Sequence, residues 1–461
     1  MKKQRLLESI VCASVWLLLV GCDVGGDLDP DMPSDTLAES QQVLGLPATY
    51  RIAYTSDGNY NDPDDIGATP MALAIIAEYG AQSKLVHVSY NNILGRNTPE
   101  AHAEHSESVL GAVARFGFDP ARFFSAYDDP ESAVNNLKNA INASAASNPL
   151  YVLLAGPVEV AYRALVAADP AKRQYVTVIS HVWWNDYYDV FVQPGDPVHQ
   201  NKGKQDVIAL GVNWLQIKNQ NTGLCVGQCA RSVQVPLGDP RWAPYAWLEA
   251  SGDEDLHWLW DRLVTVGRPD PSDAGVAYFL FTGSEIVVPD DRATFPTGFN
   301  PPYNANYTLK KLLHDHVKPP VITRSTILME AENFRLSNYV VDYASTYSQH
   351  GAVKCTASAG TVATLTTTFN ELHTADATYS IAIKYLDESS GSSTYRLFVN
   401  GTQRDVWTAS ANDNTWKTRT KSGVTVRRGY QIRLEVTKNG SELCKVDTIK
   451  FTRTGNAVVG Q

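Results

Sequence analysis

What this sequence lacks narrows its role before any motif does. Its 461 residues hold 39 Lys and Arg against 49 Asp and Glu, a net charge of −10, and past the first few positions no run of basic side chains occurs. Nucleic-acid binding depends on clustered Lys and Arg to neutralise phosphates, so no nucleic-acid partner is expected. Beyond the amino-terminal segment, no apolar stretch reaches the roughly 20 residues that cross a bilayer. Cysteine is scarce, six in all. No second Cys or His pair accompanies Cys225 and Cys229 at the spacing a four-ligand zinc site requires. In an oxidising compartment the natural use of the cysteines is two disulfides, Cys225–Cys229 and Cys355–Cys444.

What is present at the amino terminus points to export. Lys2, Lys3 and Arg5 precede an apolar stretch from Ile10 to Val20, too short and wrongly flanked for a spanning helix. It ends in Leu19-Val20-Gly21-Cys22, which resembles the lipobox of bacterial lipoproteins. That resemblance implies a signal peptide over residues 1–22, a lipid on Cys22, and a membrane tether at the cell envelope, on the periplasmic face or the cell surface. Residues 23–46 are rich in Asp, Gly, Pro and Ser, and read as a flexible linker.

Two folded domains follow. Over residues 47–322 short apolar runs (YRIAYTS, KLVHVSY, YVLLAG, YVTVISHV) alternate with helical patterns (ATPMALAIIAEYG, HAEHSESVLGAVARFG, VEVAYRALVAADP). Such alternation predicts βαβ units and an α/β parallel sheet covered on both faces. Ligands of such sheets sit at the carboxyl ends of the strands. After Pro319-Pro320 the pattern changes to period-2 segments such as TYSIAIKYL and YQIRLEV, which predict an antiparallel β-sandwich, a jelly-roll, over residues 327–453.

The residues after the first strand are the chemical signal of the first domain. Asp57, Asp62, Asp64 and Asp65 put four carboxylates within nine residues. They repel one another unless a cation or solvent offsets them, and hard divalent cations prefer such oxygen ligands. Helix capping by Asp62, with Asp64 and Asp65 on the helix dipole, accounts for part of the cluster.

The segment resembles the DxDxGxDD signature of the nucleoside hydrolase superfamily, and further segments match in order. They are Asn91-Asn92 after the second strand, the strand–helix segment YVLLAGPVEVAYRAL, LGVNWLQI, and Ser272-Asp273-Ala274-Gly275. The resemblance implies Ca²⁺ held by Asp57, Asp65, Asp273 and the Ala155 carbonyl, with Asp64 beside them. Asp64, Asn91, Asn92 and Asn213 would contact sugar hydroxyls. Asp57 would accept the proton of the attacking water, with Asp62 able to replace it because the spacing from Asp57 to Asp64-Asp65 exceeds the family's. Gly211 and Ser272 stand where the family has a ribose-binding glutamate and a histidine, which favours another sugar over a ribonucleoside. His181 and Trp183 follow a further strand, as an acid and a sugar-stacking ring or as a packed loop. His102 and His105 are expected on the exposed side of their helix.

The second domain resembles family 6 carbohydrate-binding modules through its MEAENF start, the LFVNG hairpin, Trp416 before a Thr-rich strand, and the closing VDTIKF. That implies a second, structural Ca²⁺ at Glu330, Glu332 and Asp447, and sugar contact by Trp416 with Tyr347. Together these features predict a Ca²⁺-dependent hydrolase of glycosidic or N-glycosidic bonds, held on carbohydrate or polysaccharide by its sandwich. The alternatives are a nucleoside hydrolase of altered specificity and a non-catalytic polysaccharide-binding lipoprotein.

Overall fold

The computed structural model describes residues 43–58, 63–92, 99–187, 202–220, 238, 245–267, 269–285 and 304–457. The signal peptide with Cys22, the linker up to residue 42, Asp62, Cys225 and Cys229 lie outside the described residues.

A short strand β1 (Val43–Leu44) precedes six parallel strands: β2 (Arg51–Ser56), β3 (Leu85–Tyr90), β4 (Phe123–Ser125), β5 (Leu150–Ala155), β6 (Val176–Ser180) and β7 (Asn213–Gln216). The helices are α1 (Pro63–Glu78), α2 (Pro99–Phe116), α3 (Pro130–Asn142), α4 (Glu159–Ala167), α5 (Pro170–Arg173), α6 (Trp183–Asp186), α7 (Lys204–Ala209), α8 (Ala246–Glu249), α9 (Glu254–Val264), α10 (Ala274–Thr282) and α11 (Asn304–Leu313). The strands lie in the order β4-β3-β2-β5-β6-β7. The chain therefore winds one way from β2 to β4, then returns to the far side of β2 with β5. That reversal makes β2 and β5 the neighbours whose connections leave in opposite directions, opening a crevice at their carboxyl ends.

Strand side chains alternate between two cores. Ile52 and Tyr54 face a core with α1, α9 and α10, whereas Ala53, Val152 and Leu154 face one with α3 and α4. Both α1 and α10 are apolar nearly all round and buried, as expected of central helices. Pro70 lies inside α1 and lacks the amide that would bond the Ile66 carbonyl. Ser108 of α2 replaces it, donating to Ile66 O at 2.8 Å. Arg262 of α9 in turn donates to Ser108 Oγ at 2.8 Å and pairs with Glu104 at 2.8 Å.

Helices give way to strands between Leu313 and Thr326. The sandwich contains β8 (Thr326–Glu330), β9 (Arg335–Ser337), β10 (Tyr339–Tyr343), β11 (Gly351–Cys355), β12 (Val362–Thr368), β13 (Thr374–Ala375), β14 (Ala377–Asp387), β15 (Thr394–Val399), β16 (Thr402–Thr408), β17 (Thr415–Val426), β18 (Gln431–Thr437) and β19 (Val446–Ala457). One sheet runs β10-β11-β19-β14-β17 with β8 on β19, the other β16-β15-β18-β12-β9. Every pairing is antiparallel. Strict alternation along β14 turns Tyr379, Ile381, Ile383 and Tyr385 into the core between the sheets.

The sandwich lies alongside β7, the edge strand of the parallel sheet among the described residues. Residues 213–216 share a crevice with Leu328, Met329 and Phe334. Arg324 pairs with Glu285 of the first domain at 2.8 Å and with Glu371 of the sandwich at 2.9 Å. His373 bonds the Leu280 carbonyl at 3.0 Å. Val43–Leu44, the end of the expected linker, pairs with Thr374–Ala375 of the sandwich.

The expected Cys355–Cys444 disulfide is corrected by the structure: both are buried free thiols. Cys444 has a left-handed backbone, φ 47°. Its sulfur lies 3.2 Å from Ser393 Oγ and 3.8 Å from the Glu442 carbonyl, and it meets the Cys355 thiol as a hydrogen-bond partner rather than in a disulfide.

Candidate metal centre at the sheet's switch point

The site is built where β2 and β5 part. Ser56 and Ala155 end the two strands in register, and Asp57 follows at once, 3% exposed. Asp57 can occupy this place because Gly156 faces it: a Cβ on Gly156 would lie 2.8 Å from Asp57 N and 3.1 Å from its Oδ1. Gly58 turns the chain away with φ 76°, against Asn91 and His105.

Asp65 enters from the first turn of α1, fully buried. Asp273 arrives from the far end of the domain, immediately before α10, and its side chain makes no capping bond to that helix. One carboxylate oxygen from each of Asp57, Asp65 and Asp273 lies within 4.8 Å of the others. Three buried carboxylates at this spacing repel strongly in a poorly solvated place. Burial raises the Tyr54 phenol well above its ordinary range, and the charges of Asp273, Asp65 and Asp64 add to the rise. A hard divalent cation fits this set of oxygens, its size and its charge. Asp273, Asp65 and Asp57 would hold it.

His181, directly after β6, is fully buried and bonds Asp273 Oδ1 through Nε2 at 2.6 Å. Its Nδ1 accepts from the Gln220 amide at 3.4 Å, so the ring proton sits on Nε2 and is donated to Asp273. His181 therefore orients a member of the trio. Asp64 lies outside the trio and accepts from Ser272 Oγ at 3.4 Å. Ala155 stands at the rim beside Asp57, at the end of β5.

Other expected residues are placed differently. Asn213 opens β7, at the amino end of the sheet and so at the opposite edge from the acids. It donates to the Gln174 carbonyl at 3.1 Å and accepts from Asn370 at 2.9 Å. Apolar alternation through LGVNWLQI marks a strand without marking which end Asn213 occupies. Asn91 and Asn92 reach the correct rim yet are fully buried. Asn91 accepts from His105 at 3.1 Å and donates to Ser106 at 3.2 Å, and Asn92 donates to Ser89 Oγ at 3.3 Å. They brace the loop that carries Asp57. His105 is likewise fully buried, contrary to expectation, with Nε2 3.1 Å from Ser56 Oγ. Burial lowers its pKa to about 3, with Arg262 and His102 adding to the effect. His102 is partly exposed and bonds Asp128 at 2.8 Å. Trp183 meets the sandwich, edge to face with His350 at 5.6 Å.

Gln220, which fixes His181, was not foreseen from the sequence. Its signal was its place just after a strand, the rule that had singled out Asp57.

In the sandwich, Glu330, Glu332 and Asp447 are all buried, but among the described residues they do not form a set within metal-ligating span. Ammonium groups stand beside them instead: Lys384 pairs with Asp447 at 2.6 Å and Lys204, from α7, with Glu332 at 3.5 Å. Burial and the neighbouring Glu332 raise the Glu330 carboxyl to about 8. Tyr347 and Trp416 are brought together, half-buried, with ring centroids 5.8 Å apart and planes at 75°. Lys384 lies over the Trp416 ring at 5.2 Å. Tyr347 is held by bonds to Asp342 and Lys445, both 2.9 Å.

Fold and site together define a class: a parallel α/β domain with a buried carboxylate centre at its switch point, joined edge-on to an antiparallel β-sandwich. No protein-family model matches the chain. An uncharacterized protein of Formosa agariphila is 30% identical over 265 residues, covering 54% of this chain and 88% of that protein, and this chain belongs to its family. Solved structures are similar over the C-terminal part. A family 35 carbohydrate binding module from Clostridium thermocellum is 15% identical, covering 28% of this chain and all of that module (100%), with a TM-score of 0.23. The family 35 module of Paenibacillus barcinonensis is 23% identical, over 28% of this chain and 99% of the module, with a TM-score of 0.22. The Podospora anserina GH26-CBM35 β-(1,4)-mannanase is 18% identical over 29% of each chain, with a TM-score of 0.23, so this chain spans less than a third of it.

Proposed function

We propose that the first domain is a divalent-cation-dependent hydrolase of glycosidic or N-glycosidic bonds, Ca²⁺ being the cation its ligand set favours, and that the sandwich holds it on carbohydrate. The observation that carries this is the convergence of Asp57, Asp65 and Asp273 within 4.8 Å at the switch point. They come from three separate segments. Helix capping does not account for the convergence, because the Asp273 side chain caps nothing.

A cation held there supplies Lewis acidity toward water or a sugar oxygen. The chain's own residues do the rest. Asp57, next to the crevice and backed by Gly156, accepts the proton of an attacking water. His181 keeps Asp273 turned toward the trio. Leaving-group departure gives the anomeric carbon oxocarbenium character, which the carboxylate field favours. With Asn213 at the opposite edge, one expected hydroxyl contact is lost, which favours a glycoside over a ribonucleoside. On the sandwich, the Tyr347–Trp416 pair offers a sugar-sized aromatic face. We further propose that the amino terminus anchors the protein in the cell envelope through Cys22.

The test is turnover on a panel of glycosides and nucleosides with and without EDTA. Asp57→Asn and Asp273→Asn should each lower EDTA-sensitive turnover by roughly 10²–10⁴-fold. No EDTA-sensitive turnover on any substrate would sink the hydrolase reading.

A further inference from the structure

Away from the carboxylate centre, at the amino ends of β5, β6 and β7, the two domains enclose a groove of about 620 Å³. That volume suits a small organic ligand, which such sites of about 300–1,000 Å³ accommodate, and far exceeds the need of a lone ion. Its lining is unusual for a chain of net charge −10: among the described residues it contains two arginines, Arg335 and Arg428, and no carboxylate. The remaining wall is mostly amides and hydroxyls, including Gln174, Gln431 and Asn333.

Three of these groups are poised for a ligand. The Arg335 guanidinium, on β9, meets neither a carboxylate nor a hydrogen-bond acceptor among the described residues. The Arg428 backbone amide donates to Asp376 Oδ1 at 2.8 Å, while its guanidinium donates to Tyr151 OH at 3.4 Å and pairs with no carboxylate among the described residues. Asn333 is only 7% exposed, and its Oδ1 has no hydrogen-bond partner among the described residues. Buried amide oxygens are normally satisfied, so a hydroxyl donor in the groove would complete it.

We infer that this interdomain groove is a second saccharide site, selective for a short oligosaccharide bearing an acidic substituent, a carboxylate or a sulfate ester. The inference rests on the reading of the chain as a carbohydrate-handling protein and adds the charge of the sugar. The guanidiniums recognise the acidic group by paired N–H donors. The amides and threonines take the hydroxyls. Because α/β and sandwich residues share the walls, a bound chain would cross both domains at the edge remote from the acids.

Calorimetric titration of the full chain tests this with three probes: oligogalacturonates, sulfated galactan oligosaccharides, and carboxyl-reduced oligogalacturonates. At least one acidic probe should bind, in a salt-sensitive way, and the neutral probe should bind at least tenfold more weakly. Arg335→Met, an exposed substitution, should weaken acidic binding about tenfold with the melting temperature unchanged, and Arg335→Lys should retain part of it. Arg428→Met should act in the same direction. Acidic binding untouched by both Met variants, or competed away by inorganic phosphate alone, would overturn the groove assignment. Neutral-glycan binding that depends on Trp416, with no acidic binding, would overturn the groove while sparing the wider carbohydrate reading. No saccharide binding of any kind would remove both.

Discussion

Lys204 shows how much one side chain does at the junction of the domains. It is fully buried, with its ammonium 3.8 Å from Asp186 and 3.5 Å from Glu332. Burial pushes both carboxyls up and the ammonium opposes that rise. Removing one partner of such a cluster leaves charge uncompensated in a dry place. Lys204→Met should therefore cost about 3–5 kcal/mol, measured by urea unfolding at neutral pH. The loss should shrink as pH falls, because the raised carboxyls then protonate and no longer leave uncompensated charge. Equal stability of wild type and variant at pH 7 would contradict this role. Histidines carry the second residue-scale prediction. His105 and His87 are buried neutral, with pKa lowered by burial to about 3 and about 4. A lowered histidine pKa stabilises the fold above the unfolded value near 6.5, and this stability drains as pH falls toward the folded value. Between pH 6.5 and 5, each should contribute a loss of about 2 kcal/mol. His105→Gln should flatten that slope in unfolding measured across the same window. None of this was legible beforehand: a histidine on a helix in sequence has two faces, and only the packing of α2 on α1 shows which one holds His105.

At the scale of elements, the turn after β2 and the turn after β5 act as one device. Asp57 fits because Gly156 has no side chain. Gly156→Ala should displace Asp57 and weaken cation binding at least tenfold in a Ca²⁺ titration, with a smaller effect on melting. Unchanged affinity would mean that Asp57 does not bind the ion. Elements with strong patterns were readable before the structure. The buried strands YRIAYTS and YVLLAG, the helix bearing Asp64 and Asp65, and the alternation along TYSIAIKYL all lie where periodicity put them. The convergence of Asp57, Asp65 and Asp273 was legible only through their order along the chain. Strand ends were not: β7 is four residues long, and its polar flanks gave no reason to put Asn213 at its start. The nearness of Cys355 and Cys444 was readable from the sequence, but their state as free thiols was not.

On the scale of the whole molecule, the sandwich lies along β7 and reaches both edges of the parallel sheet. At one edge His350 meets Trp183 near the carboxylate centre, and at the other Arg335 and Arg428 face the groove. A carbohydrate held by either part of the sandwich thus stays tied to the same compact unit as the acids, which raises its effective concentration there. The account stands on a single cation drawing three distant segments together. Crystals of the full chain soaked in Ca²⁺ and measured for anomalous scattering test that most directly. The expected result is one strong peak between the carboxylates of Asp57, Asp65 and Asp273, lost in Asp273→Asn crystals. A map with no peak among those three side chains would contradict it.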